Sequence, residues 1–160
     1  MERNNKVTIV VFSGELDRAL AAFNVATTAA AMGSKVTMFF TFWGLNVIRK
    51  ERSGRKAAGL MRKILNWMNK GGSRRLPLSR FHMLGLGTRM MKRLMQESKM
   101  PMLEQLIQMA KNMGVRFVAC TTSIGMMDLK KEDFIPEVDE FAGAATYLEE
   151  AFEGTVNLFV

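Results

Sequence analysis

The sequence predicts an α/β protein, with a doubly wound, mostly parallel five-stranded sheet interrupted by a basic, methionine-rich helical insertion at about residues 47–100. Three observations carry this expectation. Short β-rich runs alternate with helical stretches rich in Ala, Leu and Met, glycines stand where the helices should stop, and the connections are long enough to return each strand parallel to the last. With 160 residues, 48% apolar and 24% charged, the chain has the size and composition of a single domain, residues 1–160, that can bury a core without metal or disulfide support.

Val7–Phe12 is a nearly continuous apolar run ending at Ser13-Gly14, which reads as a strand buried on both faces. Residues 15–32 form an Ala- and Leu-rich helix closed by Gly33. Lys35–Phe42 is the second strand, and strand, helix and strand together make a βαβ unit. After the insertion, Met102–Met113 repeats the helical pattern with Gly114 as its stop, and Val115–Ala119 is the third strand, followed by Cys120 and a loop from Thr121 to Gly125. A charged turn at Asp128–Asp133, a short strand near Val138, a helix over Gly143–Phe152 and a last strand, Thr155–Val160, complete a flavodoxin-like arrangement.

Charge is concentrated in one place. Between Arg49 and Lys99 stand 15 basic residues and two acidic ones, a net +13, whereas the remainder of the chain is −5, which together give the overall +8. The same segment holds Met61, Met68, Met83, Met90, Met91 and Met95, with Gly71-Gly72-Ser73 and Pro77 as breaks, so it reads as an amphipathic helix, a loop and a second helix. Methionine suits surfaces that adapt to more than one partner. The alternative is that the methionines fill an oligomer core while Lys and Arg form its solvated face.

One Cys and one His exclude a zinc cluster, an intramolecular disulfide and Cys-x-x-Cys redox chemistry; no metal and no cofactor are expected. The first residues are unlike a secretory signal, and the longest mostly apolar stretch, Val36–Ile48, is 13 residues, too short to span a bilayer as a helix. These features point to a cytoplasmic location, where a free thiol stays reduced.

In open parallel sheets, ligands bind beyond the carboxyl ends of the strands. The loops expected there are Ser13-Gly14, Trp43-Gly44-Leu45-Asn46 and Cys120 to Gly125. Cys120 is the nucleophile of that edge, partly exposed in this reading; the alternative is a buried cysteine that merely ends a core strand. Backbone N–H groups of Thr121 to Gly125 and the hydroxyls of Thr122 or Ser123 would stabilise its thiolate, with arginines of the insertion adding positive field. Ser13, Gly14, Trp43 and Asn46 are read as pocket-forming, and Phe39, Phe40, Phe42 and Trp43 as chiefly core. Gly85-Leu86-Gly87 is rejected as a dinucleotide fingerprint because it follows no strand and lacks the third glycine. His82 reads as packing or surface, a Cys120–His82 pair being the less supported alternative, and Glu149, Glu150 and Glu153 as a solvated helix face.

Val7–Phe12 with its Ala-rich helix, Phe40-Thr41-Phe42-Trp43-Gly44-Leu45, the methionine-rich insertion, Ala119-Cys120-x-x-Ser123 and Gly143-x-Ala145-x-Tyr147-Leu148 occur in an order that resembles the DsrE/DsrF-like family. The resemblance covers nearly the whole chain and extends to a branch with a methionine-rich insertion, sometimes labelled peroxiredoxin-like, although no Thr-x-x-Cys peroxidase motif is present. It implies a usually oligomeric α/β protein of the sulfur-relay type, a sulfur carrier or sulfurtransferase, with sulfane sulfur carried as a persulfide on Cys120 and passed between sulfur-donor and sulfur-acceptor proteins. A second reading makes residues 49–99 a grip for an acidic protein or a membrane surface. Nucleic acid is disfavoured because the segment has only Trp67 and Phe81 as aromatic residues. A third is a small-molecule site of the flavin or coenzyme A type at the strand ends.

Overall fold

The computed structural model describes residues 5–51 and 71–160. In chain order the elements are β1 (Lys6–Val11), α1 (Leu16–Ala31), β2 (Lys35–Phe40), a 3-10 turn (Phe42–Ile48), α2 (Leu86–Glu97), α3 (Leu103–Asn112), β3 (Arg116–Cys120), α4 (Thr121–Met126), β4 (Glu140–Ala142), α5 (Ala144–Phe152) and β5 (Val156–Phe159). The strands lie in the order β4-β3-β2-β1-β5, and every pairing among them is parallel.

From β1 to β4 the chain steps across the sheet in one direction, then returns to lay β5 against the other side of β1. Right-handed crossovers put helices on opposite faces when the direction reverses, so α1 and α3 cover one face and α5 the other. Side chains alternate accordingly. Ile9, Val11, Met38, Phe40, Phe117 and Ala119 join Leu16 and Phe23 of α1 and Leu103 and Ile107 of α3 in the large core. Phe23 is its centre, with the Phe117 ring edge-on at 5.6 Å and Phe40 at 6.2 Å. Val10, Phe39, Val118 and Cys120 form a smaller cluster on the other face, where Tyr147 of α5 lies 5.2 Å from Phe39.

The expected flavodoxin-like doubly wound α/β architecture is present, with corrections to its elements. The second strand ends at Phe40 rather than Phe42, because Phe42 takes a left-handed φ of 47° and turns the chain. Two residues later Gly44 donates its amide to the Phe12 carbonyl at 2.7 Å, and a Cβ there would stand 1.9 Å from the Val11 carbonyl oxygen. No side chain fits at that crossing. Phe42 and Trp43 are 40% and 41% exposed, so only Phe39 and Phe40 of that group are core. The third strand runs through Cys120, the segment read as a loop from Thr121 is helix α4, and the short strand begins at Glu140, just past Val138.

Of the insertion, α2 is the expected second helix, while the first, together with Met61, Trp67 and Met68, lies outside the described residues. The Gly-x-Gly pair serves the start of α2: Gly85 precedes the helix at φ 96°, and a Cβ on Gly87 would stand 1.7 Å from the Phe81 carbonyl oxygen. No helix among the described residues is long and apolar enough to cross a membrane.

The solvated glutamate face expected on α5 holds for Glu149 and Glu153, which are exposed, and is corrected at Glu150. Glu150 reaches Lys6 of β1 at 2.5 Å and Arg116 of β3 at 2.6 Å, which ties the helix to the amino ends of two strands. The hydrogen bond from Lys6 outweighs partial burial and, with the Arg116 charge, holds the Glu150 carboxyl below the usual glutamate value. A carboxyl lowered in the folded state contributes stability above its unfolded pKa of about 4.3 and loses it as pH falls through the folded value. Glu150→Gln is therefore expected to cost about 1 kcal/mol at neutral pH, the scale of a partly screened charged hydrogen bond. In urea titrations the gap from wild type should close as the pH falls below that of glutamate; a gap that stays constant would show that the ion pairs are not its source.

Candidate functional site

Cys120 is the last residue of β3 and stands immediately before α4. Strand alternation sends its side chain to the Val118 face, where Tyr147 of α5 packs against the same cluster. The residue is 5% exposed, not partly open as the sequence suggests, because β4 runs beside it with Ala142 opposite.

Burial alone would push the thiol pKa up. Against it stand the Ser123 N–H, the hydroxyls of Ser123 and Thr41 and the Thr122 N–H, and together they bring Cys120 below the ordinary thiol value. Among the described residues these donors are the causes that lower it, and the arginines of the insertion between 52 and 70 lie outside the described residues. Ser123 is 2% exposed and its Oγ lies 2.9 Å from Thr41 Oγ1, so the two hydroxyls form a linked pair beside the sulfur. Thr121 and Thr122 are exposed in the first turn of α4, and Gly125 is exposed near its end.

Thr41 was not identified as a site residue from sequence. Its signal is the register: β2 and β3 pair Phe40 with Ala119, so Thr41 follows that pair as Cys120 does on the next strand. A hydroxyl just past the end of the neighbouring strand is where a donor to the thiol would be sought.

The residues read as walls of the same site are divided from it. Ser13, Gly14, Trp43 and Asn46 line a pocket of about 550 Å³ together with Arg75 and His82, and Cys120 is not among its lining residues. His82 belongs to that pocket, where its Nδ1 lies 3.1 Å from the Thr88 hydroxyl, and it is not among the groups that act on the thiol. The phosphate cradle that a flavin or nucleotide uses at the first strand of such folds is engaged internally. Phe12 and Ser13 donate their amides to the Val160 carbonyl, Glu15 donates to the Ser13 hydroxyl, and Leu16 donates to the Pro77 carbonyl at 2.7 Å.

The family model described as DsrE/DsrF/DrsH-like matches residues 3–159. The protein described as uncharacterized protein YrkE of Bacillus subtilis is 40% identical over 159 residues, 99% of each chain. The sulfur carrier protein DsrE2 of Allochromatium vinosum is 32% identical over 161 residues, covering 97% of this chain and 98% of its own. Two solved structures share the fold with TM-scores of 0.54: a protein of unknown function, MTH1491 of Methanobacterium thermoautotrophicum, at 12% identity, and the ychN protein of E. coli, at 10%. Each comparison covers 98% of this chain and 99% of the other, and at such identity the likeness concerns the fold alone.

If the hydroxyl pair stabilises the thiolate, removing either member raises the thiol pKa. Ser123→Ala and Thr41→Val are expected to shift the midpoint of the pH profile of Cys120 alkylation upward and to slow alkylation at neutral pH. Unchanged midpoints in both variants would remove the hydroxyls from the account.

Proposed function

The chain belongs to the DsrE/DsrF/DrsH-like family, and from that membership and the environment of Cys120 we propose that it is a sulfur carrier of a sulfur relay, holding sulfane sulfur as a persulfide on Cys120. The observation that carries this reading is a buried thiol whose pKa is lowered by four uncharged hydrogen-bond donors. Such donors stabilise the thiolate that must attack the outer sulfur of a donor.

The Cys120 thiolate attacks the outer sulfur of a donor persulfide, R–S–S⁻. A Cys120–S–S bond forms, the donor S–S bond breaks, and R–S⁻ leaves with the bonding pair. An acceptor thiolate then attacks the outer sulfur, and Cys120 departs as thiolate in its turn. Each step is thiol exchange at a zero-valent sulfur, with no net oxidant or reductant. The chain has no second cysteine to capture the persulfide as an internal disulfide, which suits a carrier. The exposed Thr121 and Thr122 frame the approach for the donor and acceptor.

A carrier must dock on other proteins, and α2 is proposed as the docking face. Leu86, Met90 and Leu94 follow one another at four-residue spacing and are 61%, 64% and 50% exposed, with Arg89 and Arg93 beside them. Residues 71–100 carry seven basic side chains against one acidic, so the fitting partner is an acidic carrier protein. Self-association is proposed on the α5 side, where the Phe12 ring lies 5.4 Å from Phe42 and 5.8 Å from Phe159 and all three are exposed. A reduced cytoplasm is the compartment in which this chemistry would run.

Incubation with a sulfane-sulfur donor is expected to add about 32 Da, one sulfur atom, to the intact wild-type chain, reversibly with reductant, and nothing to Cys120→Ala. Loading that survives in the variant would sink the proposal. Binding to an acidic relay partner is expected to weaken steeply between about 0.05 and 0.5 M salt, with a flatter dependence in the Arg89→Gln, Arg93→Gln double variant; affinity indifferent to salt would remove α2 as an electrostatic docking face.

A further inference from the structure

The pocket beyond the carboxyl ends of β1 and β2, closed on its far side by the segment from Arg75 to His82, is not used by the thiol chemistry. We propose that it binds a small organic anion, a flat apolar body carrying one carboxylate or sulfonate group. The proposal stands independently of the persulfide reading.

The cavity is built, not incidental. Its volume of about 550 Å³ lies in the range of sites for small organic ligands. The floor is buried, with Ser13 at 6%, Asn46 at 5% and Leu76 at 1% exposure. A Cβ on Gly14 would stand 2.6 Å from the Trp43 carbonyl oxygen, so the two loops meet backbone to backbone and the floor is fixed by contact. The opposite wall is held as firmly: Leu16 donates its amide to the Pro77 carbonyl at 2.7 Å, and the Ser79 amide bonds Asp17 at 3.0 Å.

Above that floor the rings of Phe12 and Trp43 are 37% and 41% exposed, giving an apolar wall that suits a flat partner. The charges specify the rest. Glu15, the carboxylate of the lining, is engaged by Arg18 at 2.8 Å and by the Ser13 hydroxyl at 2.9 Å, so these two opposite charges cancel. Arg75 bonds the main-chain carbonyl of Glu51 at 3.2 Å, an uncharged acceptor that orients the guanidinium and leaves its charge uncompensated. Among the described lining residues Arg18 and Arg75 against Glu15 leave one net positive charge at a fixed place, which matches a single anionic group. Polyphosphates are poor candidates, since the amides of Phe12, Ser13, Glu15 and Leu16 that would help to cradle them already donate within the chain.

The test is a nuclear magnetic resonance titration of the full chain with 2-naphthoate, following the indole N–H resonance of Trp43, assigned by its loss in Trp43→Phe. A saturable shift is expected, with binding at least about ten-fold weaker for the neutral 2-naphthamide and for Arg75→Gln, one lost charged contact being worth roughly that factor. Binding should be unaltered in Cys120→Ser, which separates this site from the relay. No saturable shift, equal affinity for the amide, equal affinity in Arg75→Gln, tighter binding of a nucleoside triphosphate than of naphthoate, or loss of binding in Cys120→Ser would each overturn the proposal.

Discussion

A parallel sheet presents apolar side chains on both faces, and both must be covered; the rest of this structure depends on how unequally that is done. One face has the paired helices α1 and α3 and a core extending from Val7 to Phe134. Among the described residues the other has α5, nine residues long, with no fully buried side chain of its own. So short a helix buries little apolar area, and polar ties supplement it: Lys6 and Arg116 converge on Glu150, and Arg116 also binds Glu140. The thinly covered face is also where the reactive thiol lies. Cys120 is withdrawn from water without being locked into the main core, a setting in which a nucleophile is protected yet only a short helix away from solvent.

Burial and reactivity oppose each other at Cys120. Removing a charged sulfur from water costs several kcal/mol, whereas a hydrogen bond to a charged group contributes about 1.5–3 kcal/mol, so a single donor does not offset the loss and a set of them does. The set is assembled from two strands that neighbour each other in the sheet. Thr41 comes from the end of β2, and Thr122 and Ser123 come from the first turn of the helix that follows β3. Parallel pairing in the observed register is what brings the two ends together.

Features set by local chemistry were legible in the sequence. Helices α1 and α3 each stop two positions before a glycine, Gly33 and Gly114, which take φ of 82° and 79° as a helix terminator should, and the apolar runs became strands within a residue or two. Cys120 and Ser123 were legible as neighbours because they stand three positions apart in the chain. Features set by long-range pairing were not. Glu150 looks solvated on its own helix, and only the fold brings Lys6, 144 positions earlier in the chain, against it. Nor does sequence spacing reveal that Trp43 and Asn46 line a pocket apart from Cys120, since that depends on where the strand ends and which way the chain turns afterwards.

That turn links the two sites. Thr41 lends its hydroxyl to the thiol, and Trp43, two residues on, walls the pocket. The left-handed φ of Phe42 between them diverts a chain that would otherwise have continued the strand. Gly44 then anchors the segment against β1, where the Val11 carbonyl leaves no room for a side chain. A residue that displaced Gly44 would shift Thr41 and Trp43 together, because both lie within three residues of the crossing and neither belongs to a strand. The placement of the thiol's donor and of the pocket wall is therefore one backbone constraint, and the Phe-Thr-Phe-Trp-Gly-Leu run is the stretch of sequence that meets it.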